Sequence, residues 1–232
     1  MSPAYSRAMD TTAALVAPSP YRVWKIALDE LPSAADIALL APGEHAVAAR
    51  FVFERDRRRY LAAHVVLRKT LATCLGDRPE NLRFVSGAFG KPLLAHAEPC
   101  AFNLSRSGDI AVIAVAQQGQ IGVDVELVRA VPDAMALAAR NFCASEREPL
   151  QPLAGPERDS AFLRGWTRKE ACLKAIGSGL SIAPHLFETG IYATRRSVVV
   201  PTDSGPVDVI VESLPENAEM IVAIARVNDR KR

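Results

Sequence analysis

The sequence predicts an α+β fold made of two similar halves, each combining one long helix with a small antiparallel sheet. Two observations predict it. Apolar residues recur at helical spacing in two long segments, beginning near residues 53 and 160, and short strand-forming stretches punctuated by glycine or proline follow each segment. The 232 residues are 49% hydrophobic, which is ample for a buried core and argues against disorder over most of the chain.

The seam between the halves is predicted near residues 117–120. We therefore divide the chain into an N-terminal half, 21–118, and a C-terminal half, 119–232. Residues 1–20 are rich in Ser, Thr, Ala and Pro and lack periodicity, so they are predicted to form a flexible N-terminal extension.

The long helices are predicted over residues 53–74, ending at Gly76, and over about 160–176, ending at Gly177. The predicted strands lie near residues 82–86, 101–104, 110–116, 121–128, 190–193, 197–200, 207–212 and 220–226.

Composition argues against a dedicated nucleic-acid binder and against a signal peptide or membrane span near the N-terminus. Lys plus Arg number 28 and Asp plus Glu 26, a net charge of +2 that is too balanced for a dedicated nucleic-acid binder. The longest apolar run near the N-terminus, 13–17, is too short for a signal-peptide core or a membrane span. The four cysteines show no CxxC pair and are predicted to be buried thiols in a reducing compartment, which favours a cytoplasmic location. They are Cys74, Cys100, Cys143 and Cys172.

Two acidic residues share one face of a predicted strand. Residues 121–128 alternate strictly between apolar and other side chains, so Asp124 and Glu126 point the same way. Neighbouring carboxylates repel unless water screens them or a cation lies between them, and Mg²⁺ typically takes one or two protein carboxylates together with phosphate oxygens. The alternative is a strand whose polar face simply meets solvent.

A third acid lies on the second long helix. At 100° per residue, Glu170 falls within an apolar arc that includes Leu163 and Trp166, where an unpartnered carboxylate is unfavourable. Lys174, four residues on, is a local partner, and such a pair is also an ordinary helix-stabilising contact. Together with Asp124 and Glu126, these residues make a candidate site for metal-assisted phosphoryl or diphosphate chemistry.

Two loops offer phosphate contacts. Residues 87–92 contain Gly90, Lys91 and Pro92, and residues 102–109 carry Ser105 and Arg106 between two predicted strands. Ordinary turns use many of the same residues. The arginines at 55–59 are equally compatible with a solvated helix face.

Four motifs, in this order, together resemble the Sfp-type phosphopantetheinyl transferases. They are Phe-Gly-Lys-Pro (89–92), Phe-Asn-Leu-Ser-x-Ser-Gly (102–108), Ile-Gly-Val-Asp-Val-Glu (121–126) and Trp-x-x-Lys-Glu-Ala-x-x-Lys (166–174). The resemblance covers residues 51–180. It implies a pseudo-twofold α+β monomer with coenzyme A and Mg²⁺ in the cleft between the halves.

The resemblance also implies roles for individual residues. The Mg²⁺ ligands would be Asp124, Glu126 and Glu170, with Glu170 also the base for the attacking serine and Lys174 a contact to the phosphate beside the breaking bond. The residues implied to bind coenzyme A are Arg59, Gly90, Lys91, Pro92, Ser105 and Arg106. One departure stands out, because the family usually has histidine where this chain has Arg106.

The function implied is transfer of 4'-phosphopantetheine from coenzyme A to a serine of an acyl or peptidyl carrier protein, with release of 3',5'-ADP. The basic residues that could meet an acidic carrier helix are Arg140, Arg147, Arg164 and Arg168. The main alternative is a coenzyme A or nucleotide binding protein of the same fold that has lost turnover. A nucleic-acid binder using the arginines of the first helix is disfavoured by the near-neutral charge.

Overall fold

The computed structural model of the protein describes residues 20–95, 100–192, 194–215 and 218–228. The predicted N-terminal extension, 1–20, therefore lies outside the described residues except for Pro20.

The elements are numbered in chain order. The strands are β1 (Tyr21–Ala27), β2 (Phe84–Ser86), β3 (Pro92–Leu94), β4 (Ala101–Ser107), β5 (Ile110–Ala116), β6 (Ile121–Leu127), β7 (Arg196–Val200), β8 (Val207–Ser213) and β9 (Met220–Val227). The α-helices are α1 (Ala34–Ile37), α2 (Pro42–Ala48), α3 (Glu54–Leu75), α4 (Ala134–Asn141), α5 (Ala144–Arg147) and α6 (Gly155–Ile176).

The two long helices, α3 and α6, are confirmed, and both end as the sequence predicts. Gly76 and Gly177 adopt left-handed backbone angles, with φ of 66° and 79°, and their N–H groups donate back into the last helical turn. Helix α6 begins five residues earlier than predicted, because Pro156 fits the first turn of a helix, where its missing N–H group is not needed.

The first half contains a three-stranded antiparallel sheet in the order β1-β5-β4 and a separate β2-β3 hairpin. Strand β1 was not among the predicted strands, and it pairs with β5 over seven residues. Helix α3 covers one face of this sheet, where Leu67 and Leu71 pack in one cluster with Ile26, Phe102 and Ile113.

The second half contains a four-stranded antiparallel sheet in the order β6-β9-β8-β7. Helix α6 packs on it, with Ala171 and Ala175 in one cluster with Val209 and Ala223. A third cluster joins the two halves, since Val112 and Ala114 of β5 share it with Val123 and Val125 of β6. The predicted α+β class, with two helix-plus-sheet halves, is confirmed.

The predicted strand at 190–193 is wrong over the described residues 190–192, which form an irregular segment. Side chains that are buried or partly buried satisfy its backbone in place of a neighbouring strand. Glu146 Oε1 accepts hydrogen bonds from the N–H groups of Thr189 and Gly190, while Arg164 donates to the carbonyl of Ile191. With those groups satisfied, the segment has no need of a sheet partner.

The prediction of buried thiols is correct only for Cys172. Cys74 lies in the last turn of α3 and is exposed, whereas Cys100 and Cys143 are partly exposed. All four are free thiols.

The two sheets meet along β4 and β6 through side chains. Asn103 Oδ1 accepts from the N–H of Val123 at 2.8 Å, Ser105 Oγ from Val125 at 3.4 Å and Ser107 Oγ from Leu127 at 3.1 Å. Alternate residues of β4 point to one face, so these three polar side chains form a row that takes the place of a backbone ladder.

Candidate active site

Ser105, Asp124 and Lys174 form a compact network where β4, β6 and α6 meet. The Ser105 hydroxyl donates to Asp124 Oδ1 at 2.7 Å. Lys174 Nζ donates to the same carboxylate oxygen at 2.6 Å and to Ser105 Oγ at 3.0 Å. Asp124 and Ser105 are each 5% exposed, so this charged contact lies largely out of water.

Gly122 allows α6 to lie directly on β6. A Cβ atom at this position would be 2.2 Å from the carbonyl oxygen of Ala171 and 2.3 Å from the nitrogen of Ala175. Since Glu170 and Lys174 belong to the same turns of α6, the glycine determines how near these two side chains come to the strand that carries Asp124.

The three predicted carboxyl groups influence one another. Burial raises the pKa of Asp124, Glu126 and Glu170, and the charge of Asp124 raises the pKa of the other two further. The structure therefore brings all three acids into one region. Glu126 Oε2 accepts from the Ser107 hydroxyl at 3.1 Å, while no hydrogen bond or ion pair within the described residues engages the Glu170 carboxylate.

The donor atoms of this region fit a hard cation. Asp124 Oδ2 is buried and has no hydrogen-bond partner among the described residues, which leaves a carboxylate oxygen in need of a positive ligand. Carboxylate oxygens are the ligands that Mg²⁺ prefers. The described residues do not gather three acidic, histidine or cysteine side chains into a ready-made metal cage, so the fit concerns donor chemistry and the unsatisfied oxygen.

Arg106 lies on the opposite face of β4 from Ser105. The strand was predicted only near 101–104, with a loop after it, but β4 continues to Ser107, and strand alternation sends neighbouring side chains to opposite faces. The guanidinium carbon of Arg106 lies 5.7 Å from the ring centroid of Tyr60 on α3. Arg59, which also lies on α3 and was also predicted to bind coenzyme A, forms an ion pair with Asp29 at 3.0 Å. Strand β4 therefore separates an acidic side, at Asp124, from a basic side, at Arg106 and Arg59.

Gly90 and Lys91 form a loop that leads into β3 at Pro92, and Lys91 reaches across the seam. Lys91 Nζ donates to Gln120 Oε1 at 3.2 Å and to the carbonyl oxygens of Ile121 and Ala175 at 3.1 and 3.0 Å. Burial lowers the pKa of Lys91 to about 8. This lysine therefore ties the first half to the start of β6 and the end of α6, and a phosphate contact from its ammonium would replace bonds to protein oxygens.

Sequence reasoning missed Asn103 and Ser107, which complete the polar row along β4. The signal was present in the alternation of Asn103, Ser105 and Ser107, the same period that singled out Asp124 and Glu126. It also missed Lys169 as a structural residue. Lys169 is fully buried and its Nζ forms an ion pair with Glu146 at 2.7 Å.

The fold and the site define a protein of the two-half α+β class, with a carboxylate-rich centre between the halves. Comparison with known protein families identifies the family to which the chain belongs. The model of the 4'-phosphopantetheinyl transferase superfamily matches residues 120–216, and the model of the 4'-phosphopantetheinyl transferase N-terminal domain matches residues 22–118. The chain belongs to the 4'-phosphopantetheinyl transferase superfamily.

Individual relatives agree with the family models. The 4'-phosphopantetheinyl transferase HetI of Nostoc sp. is 40% identical over 164 residues, which cover 68% of this chain and 69% of HetI. A putative 4'-phosphopantetheinyl transferase of Synechocystis sp. is 38% identical over 146 residues, covering 62% of this chain and 59% of that protein. The 4'-phosphopantetheinyl transferase psf-1 of Bacillus pumilus is 30% identical over 180 residues, covering 77% of this chain and 76% of psf-1.

Proposed function

We propose that the protein transfers the 4'-phosphopantetheine group of coenzyme A to a serine hydroxyl of an acyl or peptidyl carrier protein, with release of 3',5'-ADP and dependence on Mg²⁺. One observation carries the Mg²⁺ part of this proposal. Asp124, paired with Lys174 and Ser105, keeps a buried carboxylate oxygen that has no hydrogen-bond partner in the described part of the chain, beside two further acids. That arrangement suits the binding of a cation together with a diphosphate.

The acidic side of the site supports the chemical step. Asp124, Glu126 and Glu170 would hold Mg²⁺, which would offset the negative charge of the diphosphate. In the absence of a cation, burial and the charges of Asp124 and Glu126 raise the pKa of Glu170. Glu170 would take the serine proton, and Lys174 would stabilise charge on the phosphate beside the breaking bond.

The basic side supports nucleotide binding. Arg106 and Arg59 would contact phosphate groups, and the loop of Gly90, Lys91 and Pro92 would hold the nucleotide. Ser105 was expected to contact a phosphate as well. Because its hydroxyl forms hydrogen bonds with both Asp124 and Lys174, we propose that Ser105 instead holds these two side chains in position relative to each other.

The assay of the proposed function is the mass of an apo carrier protein after incubation with coenzyme A. A panel of acyl and peptidyl carriers, from fatty-acid, polyketide and non-ribosomal peptide synthesis, is expected to include members that gain the mass of one phosphopantetheine group. The gain should disappear with a magnesium chelator and return with added Mg²⁺. Binding of coenzyme A without a mass gain on any carrier would favour the alternative of a non-catalytic binding protein.

For the carrier surface we propose the helices α4 and α5. Arg140 and Arg147 line a cavity of about 350 Å³ there, together with Phe142 and His185. An apolar floor with a basic rim suits an acidic amphipathic helix. The prediction that Arg168 belongs to this surface is wrong. Its side chain is fully buried and donates hydrogen bonds to backbone carbonyl groups.

Charge reversal at this surface is expected to weaken docking. The double variant Arg140→Glu with Arg147→Glu should raise KM for the carrier several-fold, with kcat nearly unchanged, and should flatten the dependence of KM on salt, because rim charges act mainly on encounter. The matched control is Arg78→Glu, whose side chain is 79% exposed in the other half. An unchanged salt dependence in the double variant would rule out this surface.

In the described part of the chain, no helix combines the length and the apolar character needed to cross a membrane. We propose a cytoplasmic monomer that needs neither a membrane nor a nucleic acid. The monomeric state is testable by light scattering.

A further inference from the structure

The side chain of Arg106 is open on one side and supported on the other. Its guanidinium lies over the Tyr60 ring, and the residue is exposed towards solvent. Asp56 acts on the guanidinium through its charge, but no hydrogen bond or ion pair among the described residues engages it, so its N–H donors are available. A cation resting on an aromatic face with its donors unused is arranged to receive an anion.

The ring beneath Arg106 is held firmly. Tyr60 is 6% exposed and packs in the cluster that fills the space between α2 and α3. Its ring stacks on the imidazole of His64 with centroids 4.0 Å apart, and Phe51 contacts it with centroids 5.4 Å apart. Tyr60 and His64 are four residues apart on α3 and therefore lie on the same face of the helix.

The imidazole is fixed in turn by a buried carboxylate. His64 Nδ1 lies 2.9 Å from Glu44 Oε1, and since a carboxylate only accepts, Nδ1 carries the proton in this contact. Arg68 donates to the other oxygen of Glu44 at 2.7 Å. Burial alone would raise the pKa of Glu44, but the bonds from His64, Arg68 and the N–H of Ala41 lower it to about 2.

The supporting ring also keeps one chemical form near neutral pH. Burial raises the pKa of Tyr60 to about 12, so the ring stays neutral and keeps the electron-rich face that attracts a cation. Arg106 therefore rests on a buried, packed ring that stays uncharged near neutral pH.

We propose that Tyr60 is a positioning residue, whose ring holds Arg106 ready for the 3'-phosphate of coenzyme A. The inference rests on the proposed function. Coenzyme A carries a diphosphate and a separate 3'-phosphate, and the acids proposed to grip the diphosphate lie on the other face of β4 from Arg106. Holding the long arginine side chain in place beforehand reduces the conformational freedom that it loses on binding.

The test compares coenzyme A with dephospho-coenzyme A, which lacks only the 3'-phosphate. Replacing Tyr60 with Leu should raise KM and Kd for coenzyme A by roughly three- to tenfold, with kcat nearly unchanged. The same variant should leave the values for dephospho-coenzyme A almost unaltered. Tyr60→Phe keeps the aromatic face and should behave as the wild type.

A variant of unchanged shape separates the ring's electronic role from its packing. Pentafluorophenylalanine at position 60 keeps a phenyl outline but reverses the charge distribution of the ring face, so it should weaken coenzyme A binding even if Tyr60→Leu fails to fold. Phe51→Leu removes a neighbouring ring that does not face Arg106, and it should lower thermal stability without changing the preference for coenzyme A over dephospho-coenzyme A.

Calorimetric titration of both ligands gives an answer that does not depend on turnover. The proposed role of Tyr60 would be wrong if Tyr60→Leu lost affinity equally for the two ligands, or if the variant with the fluorinated ring bound coenzyme A with full affinity. Either result would leave the proposed function intact. A wild-type protein that binds neither ligand and modifies no carrier would overturn both.

Discussion

Replacing Asp124 with Asn is expected to abolish phosphopantetheinyl transfer. The substitution keeps the shape of the side chain but removes the charge that pairs with Lys174 at 2.6 Å. It also removes the carboxylate character of the buried oxygen that has no partner among the residues described by the structure. Weakening even an indirect contact to a metal ligand lowers activity by about 10- to 100-fold, so direct loss of a ligand should exceed about 100-fold in kcat. The measurement is the initial rate of the carrier mass shift at saturating coenzyme A.

The same variant should lose far less stability than activity. The amide leaves the Lys174 ammonium without the carboxylate that lies 2.6 Å from it, which lowers the free energy of unfolding. It also removes a carboxylate whose pKa is raised by burial, which acts in the opposite direction. The melting temperature in the absence of Mg²⁺ should therefore fall by only a few degrees. Asp208→Asn is the matched control, an exposed acid on β8 of the same sheet. Transfer by Asp124→Asn near the wild-type rate would contradict the assignment of the site.

The acids were predictable because each lies within a regular element. Strand alternation alone places Asp124 and Glu126 on one face, and the helical period alone places Glu170 one turn before Lys174. Such periods are local, so a single sequence reveals them. The contact between the elements depends on Gly122, whose close approach to α6 is visible only when the helix lies on the strand.

The features that the sequence did not predict depend on contacts between residues far apart in the chain. The partner of Lys169 is Glu146, on a separate short helix, and no local pattern links them. The irregular segment at 188–192 has strand-like residues, yet Glu146 and the arginines of α6 take its backbone groups. Strand β1 is defined by pairing with β5, almost ninety positions further along the chain. Tertiary contacts here override local propensity.

Arg106 stands where the resemblance implies a histidine. An arginine side chain extends farther from the strand than a histidine ring would. The guanidinium carbon lies 5.7 Å from the centroid of the Tyr60 ring, so this position involves the neighbouring helix α3 as well as β4.

The substitution Gly122→Ala is expected to reduce both activity and stability. Its Cβ atom would lie 2.2 Å from the oxygen of Ala171, 2.3 Å from the nitrogen of Ala175 and 2.8 Å from the carbonyl carbon of Lys174. These are backbone atoms, so the helix itself must move by about 1 Å or more to restore ordinary contact distances. Overpacking of this kind typically lowers the free energy of unfolding by about 1–3 kcal/mol, which thermal denaturation would measure.

The shift of α6 should affect catalysis more than folding, because the helix carries Glu170 and Lys174 while Asp124 stays on the strand. A misplacement of about 1 Å lowers rates by as much as about 100-fold, and the loss should appear in kcat at saturating coenzyme A. Gly43→Ala is the matched control, since a Cβ atom there meets nothing within 4 Å and α2 is a helix, in which alanine is favoured. If Gly122→Ala kept the wild-type rate and melting temperature, the close contact between α6 and β6 would not be what aligns the lysine with the acids.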